Sequence, residues 1–289
     1  MKSAVLITAY KNLARLVPIV DFFDDDFDIY IHIDASSTEP NPSFTERHKG
    51  CILHVERTYR ITWGSEKHLW AIDNLLRKAV GNGPYAYYHL ITGSDFPIKP
   101  LREFKAFFTE GEGVSYLEWH RLPRPEWPGN GGLDRVQYYW VGNQWSDSRH
   151  AMPAYTLGLL RLQRKLHLKR PAHGFRQWYG GGTYFSITQQ AAEQLCAVKQ
   201  VTLHRWTRFT HCAEEVYPHT ILLNSMPEES ICNDSLRYMV WDEHSMSPHT
   251  LTEANFDNIA ASHCFFARKL EPTVSDELKQ RIDNEILSR

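Results

Sequence analysis

The residues best suited to chemistry are two neighbouring carboxylates, Glu214 and Glu215, in Cys212-Ala213-Glu214-Glu215. They open a segment that reads as a helix to Asn224, with Pro218 in or near its first turn, where proline costs least. A helix dipole explains acidic residues at that end without catalysis; the sharper reading makes one of them a general base. Tyr179-Gly180-Gly181-Gly182-Thr183-Tyr184-Phe185 sets three glycines before a strand-like run. Glycines let a backbone approach a ligand closely. Neither a Gly-Lys-Ser/Thr sequence nor GxGxxG follows, however, so a tight turn is the simpler account. Arg237, within Asn233 to Tyr238, and Arg268-Lys269, within Phe265 to Leu270, set cations among apolar residues. Such cations either snorkel or hold an anion. His204, His211, Cys212 and His219 cluster in sequence, but their spacing matches no standard zinc ligand set.

The elements that would position these groups alternate strand and helix. Val5 to Ala9 reads as a strand and Leu13 to Val20 as a helix. Asp28 to Asp34 alternates as a strand with its isoleucines on one face, and Ile52 to Val55 is a third strand. After Ser65, Leu69, Ile72, Leu75, Leu76 and Ala79 mark a helical stripe that Gly81-Asn82-Gly83-Pro84 stops. Tyr85 to Thr92 is a strand, Leu101 to Phe108 a helix, and Val114 to Trp119 another strand. This order predicts an α/β fold with a mainly parallel, Rossmann-like central sheet flanked by helices. Ligands of such sheets bind beyond the carboxyl ends of the strands. Asp34, Ser94-Asp95 and Glu118 all fall at such ends.

From His120 to Asp147 the chain is irregular and rich in Pro, Gly and Trp (Trp127, Trp140, Trp145), and loops this long are commonly functional. Core packing and sugar stacking explain these tryptophans equally well. Tyr155 to Leu168 returns to helix and is made basic by Arg161, Arg164 and Lys165, with Lys169 and Arg170 following. A solvated face accounts for that charge; an anionic acceptor or the inner surface of a membrane is the alternative.

Composition sets the outer limits. The chain has 289 residues, 42% hydrophobic and 23% charged, with a net charge of -2. That excludes disorder and argues against a nucleic-acid partner bound by bulk positive potential. Aromatic residues reach 13%, and there are 15 His. No apolar run reaches the 18 or so residues of a membrane span, and the apolar start is too short for a signal peptide. Five cysteines without a CxxC pair fit a reduced, cytoplasmic setting better than a disulfide framework.

Six motifs occur in one order: His32-Ile33-Asp34, Trp63-Gly64-Ser65, Ile91-Thr92-Gly93-Ser94-Asp95-Phe96-Pro97-Ile98-Lys99, Gly182-Thr183-Tyr184-Phe185, Glu214-Glu215 with Thr220, and Phe266-Ala267-Arg268-Lys269. The series resembles the core-2/I-branching β-1,6-N-acetylglucosaminyltransferase family, which includes the peptide O-xylosyltransferases, from about residue 4 to residue 270. The resemblance implies a variant GT-A fold and a single catalytic domain over 1–289, with a nucleotide-sugar half (1–119) and an acceptor and catalytic half (120–289). It implies an inverting transfer from a UDP-sugar to a glycan or glycolipid hydroxyl. N-acetylglucosamine is the leading donor sugar; xylose, galactose and glucose are the others. No cofactor is expected, because the family works without a bound metal and lacks the Asp-x-Asp element. The only such strings here lie within 24–28, between the first helix and the second strand.

By motif match, Glu215 is the base and Lys269 and Arg237 hold the diphosphate. Asp34, Ser94, Asp95, Gly182 and Thr183 line the donor, and Glu118 holds acceptor hydroxyls beside Trp119, Trp127 and Trp140. Eukaryotic members carry a membrane anchor and lumenal disulfides. A chain without them points to assembly of a bacterial surface glycan, at or near the inner face of the cell membrane. Two other readings are a non-catalytic carbohydrate-binding relative and a zinc hydrolase built on the His/Cys cluster.

Overall fold

A computed structural model describes residues 1–44, 51–111, 113–142, 153–242 and 247–288; Trp145 lies outside them. The strands, in chain order, are β1 (Ser3–Ala9), β2 (Phe27–Ile33), β3 (Leu53–Glu56), β4 (Tyr87–Thr92), β5 (Phe96–Pro97), β6 (Ser115–Leu117), β7 (His120–Arg121), β8 (Tyr179–Gly180), β9 (Phe185–Thr188), β10 (Ile231–Cys232), β11 (Arg237–Tyr238) and β12 (Phe266–Ala267). Seven form one sheet in the order β10-β6-β9-β4-β1-β2-β3. Pairing is parallel except at β9, which runs against both β4 and β6. The expected α/β class with a mainly parallel sheet is therefore observed.

The apolar residues of β1 show why it sits at the centre. Ala4 and Leu6 face one layer, with Leu69, Ile72, Leu75 and Leu76 of the helix Lys67–Asn82. Val5 and Ile7 face the other, with Leu16, Ile19, Val20 and Phe104. A strand covered on both sides is apolar on both sides. β2 departs from the one-faced strand expected, because every residue in it is buried. Asp28 and His32, polar members of β2, find partners from other segments. Asp28 accepts from the Tyr85 hydroxyl (2.6 Å), and His32 accepts from the Tyr59 amide (3.0 Å). Burial pushes the His32 imidazole down to about 4, so it stays neutral.

The proposed halves share this sheet, since β9 and β10 come from beyond residue 119 and β9 separates β4 from β6. A second sheet, β11-β12-β5, packs with the C-terminal helix Asp276–Ile282 and fixes the chain just before Arg268 and Lys269. The irregular stretch after β6 contains β7, paired with β8, and helical turns at Pro128–Gly131 and Asp134–Gln137.

Candidate active site

Parallel register brings the carboxyl ends of β1, β2, β4, β6 and β10 to one rim, joined by the residues entering β9. In the parallel ladders Thr8 stands level with His32 and with Thr92. Trp119 and Asn233, just past β6 and β10, bond each other reciprocally at 2.7 and 2.9 Å.

The two glutamates do not begin a helix, as the sequence suggested. They occupy a separate 3-10 turn, Ala213–Glu215, and the helix Tyr217–Ser225 starts only after Val216. The turn opens on Cys212 at a φ of 47°, a left-handed conformation that costs a cysteine about 1–3 kcal/mol and is typical of functional turns. It points the neighbours in different directions. Glu214 is buried and receives His68 Nδ1 at 3.2 Å; His68 Nε2 lies 3.2 Å from the Thr8 hydroxyl at the end of β1. Burial pushes the Glu214 carboxyl up, but the hydrogen bond and charge of His68 outweigh it, and the group lies below its ordinary range. Glu215 keeps 31% of its side chain exposed and pairs with Arg135. Burial raises its carboxyl, the Glu214 charge adds to that, and Arg135 opposes both; the balance lies above the ordinary range. Two adjacent carboxyls pushed apart by their surroundings have the form of a division of labour.

The glycine run is a close-packed crossing between this turn and Glu118. The Gly181 amide donates to the Glu215 carbonyl at 3.0 Å. A Cβ on Gly181 would lie 1.9 Å from the Glu118 carbonyl oxygen, and one on Gly182 would lie 3.3 Å from the Glu118 carboxylate. Behind the run, buried His219 donates from Nε2 to the Gly182 carbonyl at 3.0 Å, its pKa pushed down to about 4 by burial. The Glu118 carboxylate, 37% exposed, contacts His120 at 3.2 Å. Glu118 and Glu215 thus flank the same three glycines.

On the β4 side the loop Gly93–Asp95 is tied down by buried Asp95, which accepts from the Thr92 amide at 2.5 Å. Asp95 also pairs with Arg268 at 3.3 Å, and the Arg268 guanidinium lies 4.4 Å from the Tyr184 ring centroid. The Ser94 carbonyl accepts from the Leu270 amide at 3.1 Å, which holds the Arg268–Lys269 segment against this loop. Among the described residues the Lys269 ammonium reaches only the Ser247 hydroxyl, at 3.3 Å.

The sequence profile of the Core-2/I-Branching enzyme family matches residues 4–261. The chain belongs to that family. Among curated relatives of this family member, xylosyltransferase 2 of Canis lupus familiaris is 22% identical over 306 residues, covering 95% of the chain and 32% of the relative. Xylosyltransferase 1 of Homo sapiens is 21% identical over 308 residues, covering 95% of the chain and 29% of the relative. The family member therefore spans about a third of the length of the curated relatives it matches. The solved structure of S. aureus TarS superposes on 40% of the chain and 21% of its own, at 14% identity and a TM-score of 0.28.

Several residues sit differently in this core-2/I-branching family member from what the sequence suggested. Arg237 is buried, with its guanidinium on the carbonyls of Ser235 (3.0 Å) and Leu90 (3.1 Å) and against the Phe266 ring, and burial lowers its pKa to about 10. Its guanidinium is taken up by these carbonyls, whereas Arg268, next to Lys269 in the chain, pairs with Asp95. Asp34 is buried too: its carboxylate accepts from the Ser36 amide (2.7 Å) and hydroxyl (2.6 Å) and from the Ile61 amide (3.2 Å), so it shapes the loops beyond β2. Trp140 stacks on His211 at 4.5 Å and donates to the Asp134 carbonyl, a packing role in place of an open platform. Trp119 packs edge-on against Tyr179. Trp127 supports Arg135, whose guanidinium lies 4.2 Å from its ring centroid. Thr183 stays half-buried between Gly182 and Tyr184.

The His/Cys cluster disperses. His204 stacks on Trp70, His211 on Trp140, and His219 serves the glycine run. Among the described residues no three His, Cys, Asp or Glu side chains converge on one point. Arg135 and His68 were not singled out by the sequence, and Arg268 was read there as a cation among apolar residues without being assigned to the site. Arg268 alone carried a signal, as the neighbour of Lys269. Arg135 is 80 residues from Glu215, and His68 is 146 from Glu214.

Proposed function

We propose that this chain is an inverting glycosyltransferase of variant GT-A type, moving a sugar from a UDP-sugar to a hydroxyl of a glycan or glycolipid. N-acetylglucosamine is the leading donor sugar. The observation that carries the reading is Glu215: a half-open carboxylate with raised basicity, held by Arg135 and set across the glycine run from Glu118. In the reaction Glu215 takes the proton of the acceptor hydroxyl as that oxygen bonds to the anomeric carbon. The bond from that carbon to the diphosphate oxygen breaks on the opposite face, and its electron pair leaves with UDP. One displacement turns an α-linked donor into a β-linked product. A carboxylate is a weak base for an alcohol, so proton transfer accompanies bond formation.

Charge grows on the leaving phosphate. Lys269 and Arg268 are assigned to it, with Arg268 replacing Arg237, and preorganised donors there contribute several kcal/mol. This cationic pair does the neutralising, and the reaction needs no added metal. Glu118 receives acceptor hydroxyls, and Trp119 and Trp127 border the same place. The test is thermal stabilisation by UDP and a panel of UDP-sugars. A ligand present at about 100 times its Kd adds about 2.7 kcal/mol, a rise in Tm of roughly 5 °C for a chain of this size. The matching donor should then release UDP when acceptor glycans are added. A protein that UDP and every UDP-sugar leave unshifted contradicts the proposal; binding without release under any acceptor supports the non-catalytic relative instead.

A further inference from the structure

The helix Ala154–Lys165 carries a feature that sugar transfer does not use. Its inner face is fixed. Leu160 is buried with Tyr138 and Trp140, Thr156 donates to the Val141 carbonyl at 2.8 Å, and Gln163 bonds the backbone of Tyr139 in both directions (2.8 and 2.9 Å). Its outer face carries Tyr155, Leu159, Leu162 and, in the continuing turn, Leu166, which are 53%, 37%, 50% and 54% exposed. Positions i, i+4, i+7 and i+11 lie on one side of a helix, so these four form a single stripe. With Leu157 and Leu168, six of the twelve exposed large hydrophobic side chains among the described residues fall within this short segment. Scattered exposed leucines need no explanation; an aligned set does.

Charge says what covers it. Arg161 and Lys165 run beside the stripe and Lys169 follows it; all three are exposed, and none has an ion-pair partner among the described residues. Arg170, by contrast, is buried on the Thr210 hydroxyl (2.7 Å) and belongs to the interior. From Ser148 to Ala192 the sequence contains no Asp or Glu but seven Lys and Arg residues. A tyrosine and leucine stripe edged by unpaired cations and free of acids complements a layer of lipid phosphates over acyl chains. We infer that this helix docks the protein on an anionic lipid bilayer, with the stripe among the headgroups and Arg161 and Lys165 on lipid phosphates. Arg164 pairs with Asp134, next to Arg135, so the docking helix is tied to the segment that holds Glu215.

The test is co-sedimentation of the full chain with vesicles of phosphatidylcholine alone and with vesicles that also contain phosphatidylglycerol. No donor or acceptor is present, so its failure and that of the transfer reaction are separable. Binding is expected to the anionic vesicles and to weaken with salt. Each cation removed should lower partitioning about fivefold, so the Arg161→Ala/Lys165→Ala pair should lose on the order of 25-fold. Leu159→Ala with Leu162→Ala should lose on the order of tenfold per residue, without change in circular dichroism because both side chains face outward. Absence of binding to the anionic vesicles overturns the inference. So does binding that both double variants keep. Concentration-dependent dimers that the leucine variants abolish, without lipid binding, would assign the stripe to a second copy of the chain and overturn it equally.

Discussion

Replacing Arg135 by Met tests the electrostatics of the base without touching it. In the native site Arg135, with 14% of its side chain exposed, opposes the burial and the Glu214 charge that push the Glu215 carboxyl above 4.5. An opposite charge in contact shifts a carboxyl by about 1–3 units. Because 31% of the Glu215 side chain meets solvent, the lower part of that range applies, about one to two units, or about 1.4 kcal/mol each. The base must be ionised to work. In the wild type, kcat/KM should therefore fall tenfold per pH unit on the acid side of a limb lying above 4.5. In Arg135→Met the limb should move to higher pH by about one to two units. At a pH below the wild-type limb the variant should lose about 10- to 100-fold, and most of that loss should vanish as the pH rises past the new limb. The assay is UDP release across pH with saturating acceptor, and Arg135→Lys should restore part of the shift. A limb that stays in place, or a loss equal at every pH, refutes this account of Glu215.

Other consequences follow from packing and charge. Gly181→Ala would drive a Cβ to within 1.9 Å of the Glu118 carbonyl; moving that backbone costs about 1–3 kcal/mol, so Tm and turnover should both fall. Gly158→Ala, with nothing within 4 Å of the added carbon, should instead stabilise the helix by about 1 kcal/mol, readable by urea denaturation. Lys269→Ala should weaken UDP binding in calorimetry with little change in Tm. Arg237→Met should do the reverse, because it strips buried carbonyls of their donor; loss of UDP affinity at unchanged Tm in Arg237→Met would return that residue to the diphosphate.

Much of the frame was legible because local pattern and tertiary role agree in it. The Leu69 to Ala79 stripe became the helix over the sheet, and Asp95 and Glu118 lie at the rim that parallel strands share. Where the sequence misled, the deciding contact was long-range. β2 alternates Ile with polar residues, yet both faces are buried because Asp28 and His32 find partners from other segments. Arg237 and Arg268 look alike locally; the first falls under the sheet against Phe266, while the second reaches Asp95. Glu214 and Glu215 read as a helix start because the left-handed Cys212 that opens their separate turn has no glycine to mark it. The glycine run was ambiguous for a similar reason. Its requirement is the approach of Glu118 and Glu215 backbone, which no spacing reveals.

The central claim is that Glu215 accepts the acceptor proton, and Glu215→Gln tests it most directly. The change preserves volume while removing the base. Single-turnover UDP release with the matched donor and acceptor should drop by about 100-fold or more, with donor affinity by calorimetry unchanged. Turnover near wild type with donor bound as before would contradict the account and move the base to Glu214.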